Sequence, residues 1–263
     1  MPRVITALVG IPLIILIVGW GLPWQFSLLV FIVTVVSLWE YFSMAFLALW
    51  KERALGICAG SLLSLGILVP GFPGPGPWLT GVIVVTFSTY LFFRGPLQER
   101  YQHLGWTLIG MLYIGYLVPH LVLLYRSPDG KAWVFFVLLV IMAGDTAAYF
   151  VGNLLGKNKL APEISPGKTV EGAIGSVGMS IFAGLAGYGF LLPAMPLVEI
   201  LWLSVVLCIL GQMGDLFESW IKRVFSVKDS GSLLPGHGGL LDRMDSLIFA
   251  IVFITYYLRL FHP

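Results

Sequence analysis

The stretch 197–217, LVEILWLSVVLCILGQMGDLF, decides the fold class, because it is an apolar run long enough for a helix to span a bilayer. Comparable runs lie at 4–20, 24–49, 54–70, 77–93, 104–125, 132–151, 170–193, 197–217 and 244–261. Hydrophobic residues make up 58% of the 263 residues and charged residues only 11%, unlike the composition of a soluble domain. Backbone groups in lipid must bond to each other, so we expect helices. The sequence therefore predicts an all-α, polytopic membrane bundle with about nine transmembrane helices.

Charge and cysteine content argue against several other classes. The formal net charge of +2 is too small to indicate a nucleic-acid partner. Both cysteines, Cys58 and Cys208, lie inside apolar runs, and we interpret them as small buried side chains rather than as disulfide or metal ligands. Glu40 interrupts another apolar run, and we expect it to form hydrogen bonds within the bundle.

Lys and Arg residues predict the orientation, because cytoplasmic loops of membrane proteins are enriched in positive charge. With nine spans, twelve of the 15 Lys and Arg residues fall on one side of the membrane. This distribution places the N-terminus and the loops 152–169 and 218–243 in the cytoplasm, and the C-terminus outside.

The stretch from Ser219 to Asp245, SWIKRVFSVKDSGSLLPGHGGLLDRMD, concentrates charge and glycine between two apolar runs. Asp215 lies just upstream. The spacing i, i+4, i+7 places Asp215, Ser219 and Lys222 on one face if the helix continues past Asp215. Asp242 and Asp245 share a face at the start of the last helix, where capping of the helix N-terminus explains them equally well.

These residue types favour a site for phosphates and a metal ion. An ionisable residue at the end of a membrane span usually faces a cavity or a partner, as Asp215 would. Two aspartates brought together by a turn suit Mg²⁺. This ion is usually bound by one or two protein carboxylates together with substrate phosphates. Basic side chains would balance phosphate charge, and glycines would let the backbone approach a phosphate closely. The residues concerned are Lys222, Arg223, Lys228, Arg243, Gly236, Gly238 and Gly239. His237 could donate to a phosphate or shape the turn.

A second polar segment, 144–171, contains Asp145 within a span, Asn153 near its end and Lys168 in a Pro-Gly-Lys-Thr turn. It lacks the spacing of a Walker phosphate-binding loop, so a plain turn flanked by positive residues remains an alternative. Both segments are predicted to face the same side of the membrane, which favours a shared site.

The polar stretch between the last two spans resembles the signature of CDP-diacylglycerol synthases, also called phosphatidate cytidylyltransferases. The matching positions are Ser219-x2-Lys222-Arg223-x4-Lys228-Asp229-x-Gly231-x2-Leu234-Pro235-Gly236-His237-Gly238-Gly239-x2-Asp242-Arg243-x-Asp245. The opening Arg3-Val4-Ile5-Thr6-Ala7 and the segment 144–172 are similar to that family too. Family members usually carry a second Lys or Arg where this chain has Gly167.

The resemblance implies a Mg²⁺-dependent nucleotidyltransferase of phospholipid biosynthesis, which converts CTP and phosphatidate into CDP-diacylglycerol and pyrophosphate. It also implies a homodimer and a divalent cation at Asp215 and Asp242, with K⁺ as a potential second cation. We expect the site in a polar cavity on the cytoplasmic side of a prokaryotic inner membrane.

The resulting predictions cover roles and domains. The catalytic set is Asp215, Asp242, Lys222, Arg223 and Lys228, and the metal ligands are Asp215 and Asp242. The substrate-binding set is Ser219, Asp229, His237, Gly238, Gly239, Arg243, Asp245, Lys168, Asp145 and Asn153. The predicted regions are N-terminal helices at 1–70, middle helices with potential dimer contacts at 71–130, and a catalytic membrane region at 131–263.

Two other functions stay open at this point. A CTP-dependent polyprenol or phytol kinase would transfer the γ-phosphoryl group to its lipid and release CDP. A cation-coupled transporter would use Asp145 and Asp215 along its pathway, but it has little need for a basic, glycine-rich stretch at one face.

Overall fold

The computed structural model of the chain describes residues 12, 14–69, 75–233 and 238–262, and most of these residues are helical. Residues 14–20 are helical and precede the first complete helix. The complete helices are α1 (Pro23–Ala45), α2 (Trp50–Leu68), α3 (Pro75–Phe92), α4 (Leu97–Gly110), α5 (His120–Tyr125), α6 (Gly130–Leu155), α7 (Val170–Phe190), α8 (Leu197–Val224) and α9 (Leu241–Phe261). A π-helix, Met111–Tyr116, follows α4 directly. An antiparallel pair of strands, β1 (Lys159–Ala161) and β2 (Ser165–Thr169), connects α6 to α7.

Six helical stretches within the described residues are long and apolar enough to cross a membrane. They are α1, the continuous stretch Leu97–Tyr125, α6, α7, α8 and α9. The prediction of an all-α, polytopic membrane protein is thereby confirmed. Helices α2 and α3 coincide with the predicted spans 54–70 and 77–93, whereas the predicted span 4–20 lies largely outside the described residues. The count of nine spans therefore stays a prediction.

The chain packs as two compact units, which we call unit 1 and unit 2. Unit 1 contains the described residues of Met1–Leu123 and Asp229–Leu241. Unit 2 contains Leu124–Lys228 and the described residues of Asp242–Pro263. This division follows packing alone, and the functional division at residues 70 and 130 stays a prediction.

Aromatic side chains of α1 form the core of unit 1. Tyr41 and Phe42 are buried, and the Tyr41 hydroxyl donates a hydrogen bond of 2.9 Å to the backbone carbonyl of Trp106 in α4. Phe42 also stacks on Phe46, with ring centroids 5.9 Å apart. Helix α2 packs on this core through Gly56, where an added Cβ would lie 2.4 Å from a ring carbon of Phe42. The aromatic ring thus occupies the space that a larger residue of α2 would need.

Two glycines bring the backbones of α2 and the π-helix into contact. An added Cβ at Gly115 would lie 2.5 Å from the Cα atom of Gly60. Lipid tails are as apolar as the side chains, so close packing at small residues is a main source of attraction between membrane helices. The position therefore tolerates no side chain unless the helices move apart.

Small residues line the contact between α6 and α7 in unit 2. Gly144 lies against Ser176 and Ser180, and an added Cβ at Gly172 would lie 2.8 Å from the backbone oxygen of Ala148. Close packing here fixes the position of α6, which carries Asp145.

Helix α9 begins in close contact with α8. An added Cβ at Gly214 would lie 2.3 Å from the backbone oxygen of Asp245, and one at Gly211 would lie 3.1 Å from that of Ser246. This close approach brings the first turn of α9 next to Asp215, the residue that follows Gly214.

We predict that Gly115→Ala destabilises the protein by about 1–3 kcal/mol, the usual cost of overpacking a tight interior. Its matched control is Gly105→Ala in the same helical stretch, where an added Cβ meets nothing within 4 Å. Thermal unfolding of both purified variants in detergent measures the difference. Equal stability of the two variants would contradict the backbone contact at Gly60.

Candidate functional site

Helix α8 continues past Asp215 to Val224, which confirms the predicted stripe of Asp215, Ser219 and Lys222. The Ser219 hydroxyl donates to Oδ1 of Asp215 over 3.4 Å. Lys168 Nζ lies 2.7 Å from Oδ2 of the same carboxylate. Strand β2 carries Lys168, so the unpredicted hairpin brings this side chain to Asp215 of α8. That the two polar segments form one substrate site stays a prediction.

Three carboxylates from three helices of unit 2 lie close enough for their charges to interact. They belong to Asp145 of α6, Asp215 of α8 and Asp245 of α9. Asp245 is buried, and its Oδ1 accepts a hydrogen bond of 2.7 Å from the Ser246 backbone N–H. Because like charges repel, a positive charge nearby, such as that of Lys168 beside Asp215, stabilises this arrangement.

A second ionic group lies one to two turns further along α8. Lys222 Nζ lies 2.6 Å from Oδ1 of Asp242 and also contacts the carboxylate of Glu218. The three side chains are nearly inaccessible, with exposed fractions of 12% for Lys222, 7% for Asp242 and 0% for Glu218. Lys222 therefore pairs with both carboxylates, and its single positive charge offsets part of their combined negative charge. Glu218 was not among the predicted site residues, although its i, i+4 spacing to Lys222 indicates a pair on one helix face.

Arg223 holds the hairpin rather than a carboxylate in the described structure. Its Nε donates to the backbone carbonyl of Ile164 over 3.1 Å, and its Nη1 donates to that of Val227 over 3.2 Å. At the other end of the hairpin, Glu171 accepts hydrogen bonds from the backbone and side chain of Asn158. These contacts fix the loop that presents Lys168. Glu171 was not among the predicted site residues.

The remaining predicted site residues are distributed over both units. Asn153, Lys228 and Arg243 belong to unit 2, where all three are exposed. Unit 1 contains Asp229, Gly238 and Gly239. Gly238 has a φ of 82°, a conformation that favours glycine, which agrees with the turn expected at this point. His237 lies outside the described residues, and its role stays a prediction.

The donor set around Asp215 fits Mg²⁺ in its chemistry. Within the described ranges, no group of three or more His, Cys, Asp or Glu side chains could hold a metal ion. Mg²⁺ needs only one or two protein carboxylates when substrate phosphates and water complete its coordination shell. The Asp215 side chain is 34% exposed, and the hydroxyl oxygen of Ser219 lies beside it. The assignment of Asp215 and Asp242 as metal ligands stays a prediction, since here they pair with Lys168 and Lys222.

The fold and these ionic groups define a multi-pass integral membrane protein with a charged site built from three helices and a hairpin. The family model described as "Cytidylyltransferase family" matches residues 1–261, and the chain belongs to this family. It is therefore a nucleotidyltransferase.

Curated relatives carry a more specific name. The chain is 35% identical over 271 residues to the phosphatidate cytidylyltransferase of Bacillus subtilis (strain 168), covering 98% of this chain and 97% of the relative. It is 37% identical over 200 residues to the phosphatidate cytidylyltransferase of Staphylococcus saprophyticus, covering 73% of this chain and 76% of the relative. The enzyme of the same name from Staphylococcus aureus (strain COL) is 34% identical over the same length. The family resemblance stated from the signature is confirmed.

We predict that Lys222→Ala destabilises unit 2 by about 3–5 kcal/mol, because it removes a cation that pairs with two buried carboxylates. Adding Glu218→Gln to that variant should recover part of the loss, since it removes one of the uncompensated charges. Chemical unfolding of the purified variants in detergent measures both effects. The exposed Lys228→Ala serves as the control and should change stability by less than about 0.5 kcal/mol. A loss for Lys222→Ala as small as that of the control would contradict the ionic group.

Proposed function

We propose that the chain transfers the cytidylyl group of CTP to phosphatidate, giving CDP-diacylglycerol and pyrophosphate. The observation that carries this proposal is the similarity to phosphatidate cytidylyltransferases over 98% of the chain, a length that includes both ionic groups. CTP and phosphatidate are both anions and repel each other. The basic side chains of unit 2 would offset that repulsion.

The reaction needs charge neutralisation more than it needs a strong base. An anionic oxygen of the phosphatidate phosphate attacks the α-phosphorus of CTP. The bond between that phosphorus and the oxygen leading to the β-phosphate breaks, and pyrophosphate leaves with the bonding electron pair. The nucleophile is already deprotonated near neutral pH. Catalysis therefore consists of positioning two anions and stabilising the leaving group.

Basic residues of unit 2 are the proposed source of that stabilisation. Lys222, Arg223 and Lys228 would offset the charge of the CTP phosphates and of the departing pyrophosphate. Lys168 would contribute a further positive charge beside Asp215, at 2.7 Å in the structure. Further substrate contacts are proposed for Ser219, Asp229, His237, Gly238, Gly239, Arg243, Asp245, Asp145 and Asn153.

Asp215 and Asp242 are the proposed ligands of Mg²⁺, with K⁺ as a potential second cation. When bound, the divalent ion would supply Lewis-acid stabilisation of phosphate oxygens. The carboxylates themselves would hold that charge where α8 and α9 meet. The Ser219 hydroxyl, which donates to Asp215 over 3.4 Å, would keep this carboxylate oriented.

An apolar cavity of about 460 Å³ in unit 2 supports a lipid substrate. It is lined by side chains of α6 and α7, among them Leu139, Met142, Phe150 and Met179. Met142 precedes Asp145 by one helical turn, so the apolar lining reaches the polar part of α6. Acyl chains would find apolar surface here while the phosphate stays beside the charged residues. This supports our inference that the site opens sideways to the bilayer.

We infer that the charged ends of these helices face the cytoplasm, where CTP is available. The enrichment of Lys and Arg on that side supports this orientation. The family resemblance also supports a homodimer, which stays part of the proposal.

We predict that purified protein transfers label from α-³²P-CTP to phosphatidate and releases pyrophosphate, in a reaction that requires CTP, phosphatidate and Mg²⁺ together. Transfer of label from γ-³²P-CTP to a lipid, with release of CDP, would instead indicate a lipid kinase. Cation uptake into vesicles without CTP turnover would indicate a transporter. Either result would overturn the proposed reaction.

We predict that Asp215→Asn and Asp242→Asn each lower kcat by at least about 100-fold, because each removes a carboxylate that would hold the Mg²⁺ ion. Asp129→Asn is the matched control. Asp129 is exposed in a loop with a φ of 51°, a conformation that Asn also tolerates, so its activity should stay unchanged. Unfolding curves must show that the variants remain folded. Activity within about threefold of the parent protein for either site variant would remove that residue from the catalytic set.

A further inference from the structure

Glu40 of α1 is a buried carboxylate that the proposed reaction does not use. Its side chain is 1% exposed, yet within unit 1 it has three hydrogen-bond donors from residues far away in sequence. The backbone N–H groups of Leu240 and Leu241 donate to its two oxygens, each over 2.9 Å. The Ser230 hydroxyl donates to the second oxygen over 3.4 Å. One carboxylate therefore holds both ends of a single segment, which we call the signature segment and define as residues 229–233 and 238–241.

Two glycines of the signature segment make room for this carboxylate. An added Cβ at Gly231 would lie 2.7 Å from Oε1 of Glu40, and one at Gly239 would lie 2.7 Å from Oε2. The backbone thus encloses Glu40 from both sides. A glycine at each position has a packing reason that is independent of any ligand.

The hydrogen bonds of Glu40 go to groups that need an acceptor. Leu241 is the first residue of α9, and the first N–H groups of a helix have no partner within it. Negative charge at a helix N-terminus is also favourable. A carboxylate can accept from two adjacent N–H groups at once, one on each oxygen. A glutamine amide offers one oxygen, and its NH₂ group would face the second N–H donor.

We propose that Glu40 is a positioning residue, which sets the backbone of Gly238–Leu241 in the conformation that receives the phosphates of CTP. This inference rests on the proposed function, which assigns Asp229, Gly238 and Gly239 to substrate binding. Glu40 itself would not contact the substrate. It acts through the signature segment, whose Gly238 adopts the left-handed φ of 82° right beside the clamped residues.

Hydrogen–deuterium exchange of the full-length protein in detergent tests the structural part of the proposal. In Glu40→Gln, amide exchange in peptides covering residues 238–241 should accelerate by about tenfold or more, as expected for a lost hydrogen bond to a charged acceptor. Peptides from α2 and α6 should exchange as in the parent protein. The matched control, Glu99→Gln, changes an exposed carboxylate of unit 1 in the same way and should leave all peptides unchanged. Unchanged exchange at 238–241, or accelerated exchange throughout both units, would overturn the clamp.

Gly231→Ala provides a second variant that reaches Glu40 from the opposite side, without altering the carboxylate. Its methyl group would displace Oε1, so the same peptides should exchange faster. Gly105→Ala, with open space around the added methyl group, is its control. Faster exchange in the Glu40 variant alone, with Gly231→Ala unchanged, would contradict the geometry described here.

Steady-state kinetics test the positioning role. In Glu40→Gln, KM for CTP should rise by about tenfold while KM for phosphatidate changes less, because the displaced backbone serves the nucleotide. A merely structural carboxylate would lower the active fraction, and thus kcat, at constant KM for CTP, and that outcome would overturn the positioning role. If the parent protein lacks CTP-dependent turnover, the proposed function fails, whereas the exchange experiment still decides whether Glu40 clamps the segment.

Discussion

Carboxylates buried among apolar helices constrain this protein more than any other feature. A buried anion is stable only when a cation or several hydrogen-bond donors compensate it. Glu218 and Asp242 pair with Lys222, and Glu40 accepts hydrogen bonds from backbone N–H groups. The partly exposed Asp215 pairs with Lys168. Apart from Glu218, which lies in the same helix as Lys222, each of these carboxylates pairs with a group from a different segment of the chain. The need to offset the carboxylate charge therefore helps to determine which segments pack together.

The same constraint connects structure and chemistry. A site that handles a triphosphate and a lipid phosphate needs positive charge, and positive charge inside a membrane protein needs carboxylates to hold it there. The carboxylates of unit 2 meet the second need, because Asp215 pairs with Lys168 and Asp242 pairs with Lys222. Close packing of glycine and serine between α6 and α7 holds these two helices near each other.

Most of the fold could be predicted from the sequence, because apolar runs of membrane length have few structural alternatives. The predicted span 197–217 is part of α8, and the stripe of Asp215, Ser219 and Lys222 follows directly from helical spacing. The signature between α8 and α9 was specific enough to indicate the family by itself. Both results depend on patterns that are local in the sequence.

What could not be predicted depends on contacts between distant residues. The hairpin β1–β2 lies in a polar stretch without strand periodicity, so the sequence did not indicate how Lys168 reaches Asp215. Glu40 was expected to bond within the bundle, but hydropathy does not reveal the partner of a buried carboxylate. The pairing of Asp242 with Lys222 likewise depends on where α9 meets α8.

The long sequence separation between Glu40 and its donors has a consequence for biosynthesis. The N–H group of Leu240 follows Glu40 by 200 residues. At translation rates of about 5–20 residues per second, the ribosome needs roughly 10–40 seconds to supply that partner. During this interval α1 emerges with an acidic group whose final partners do not yet exist. The contacts that join Glu40 to the start of α9 can therefore form only late in synthesis, after most of the chain has been made.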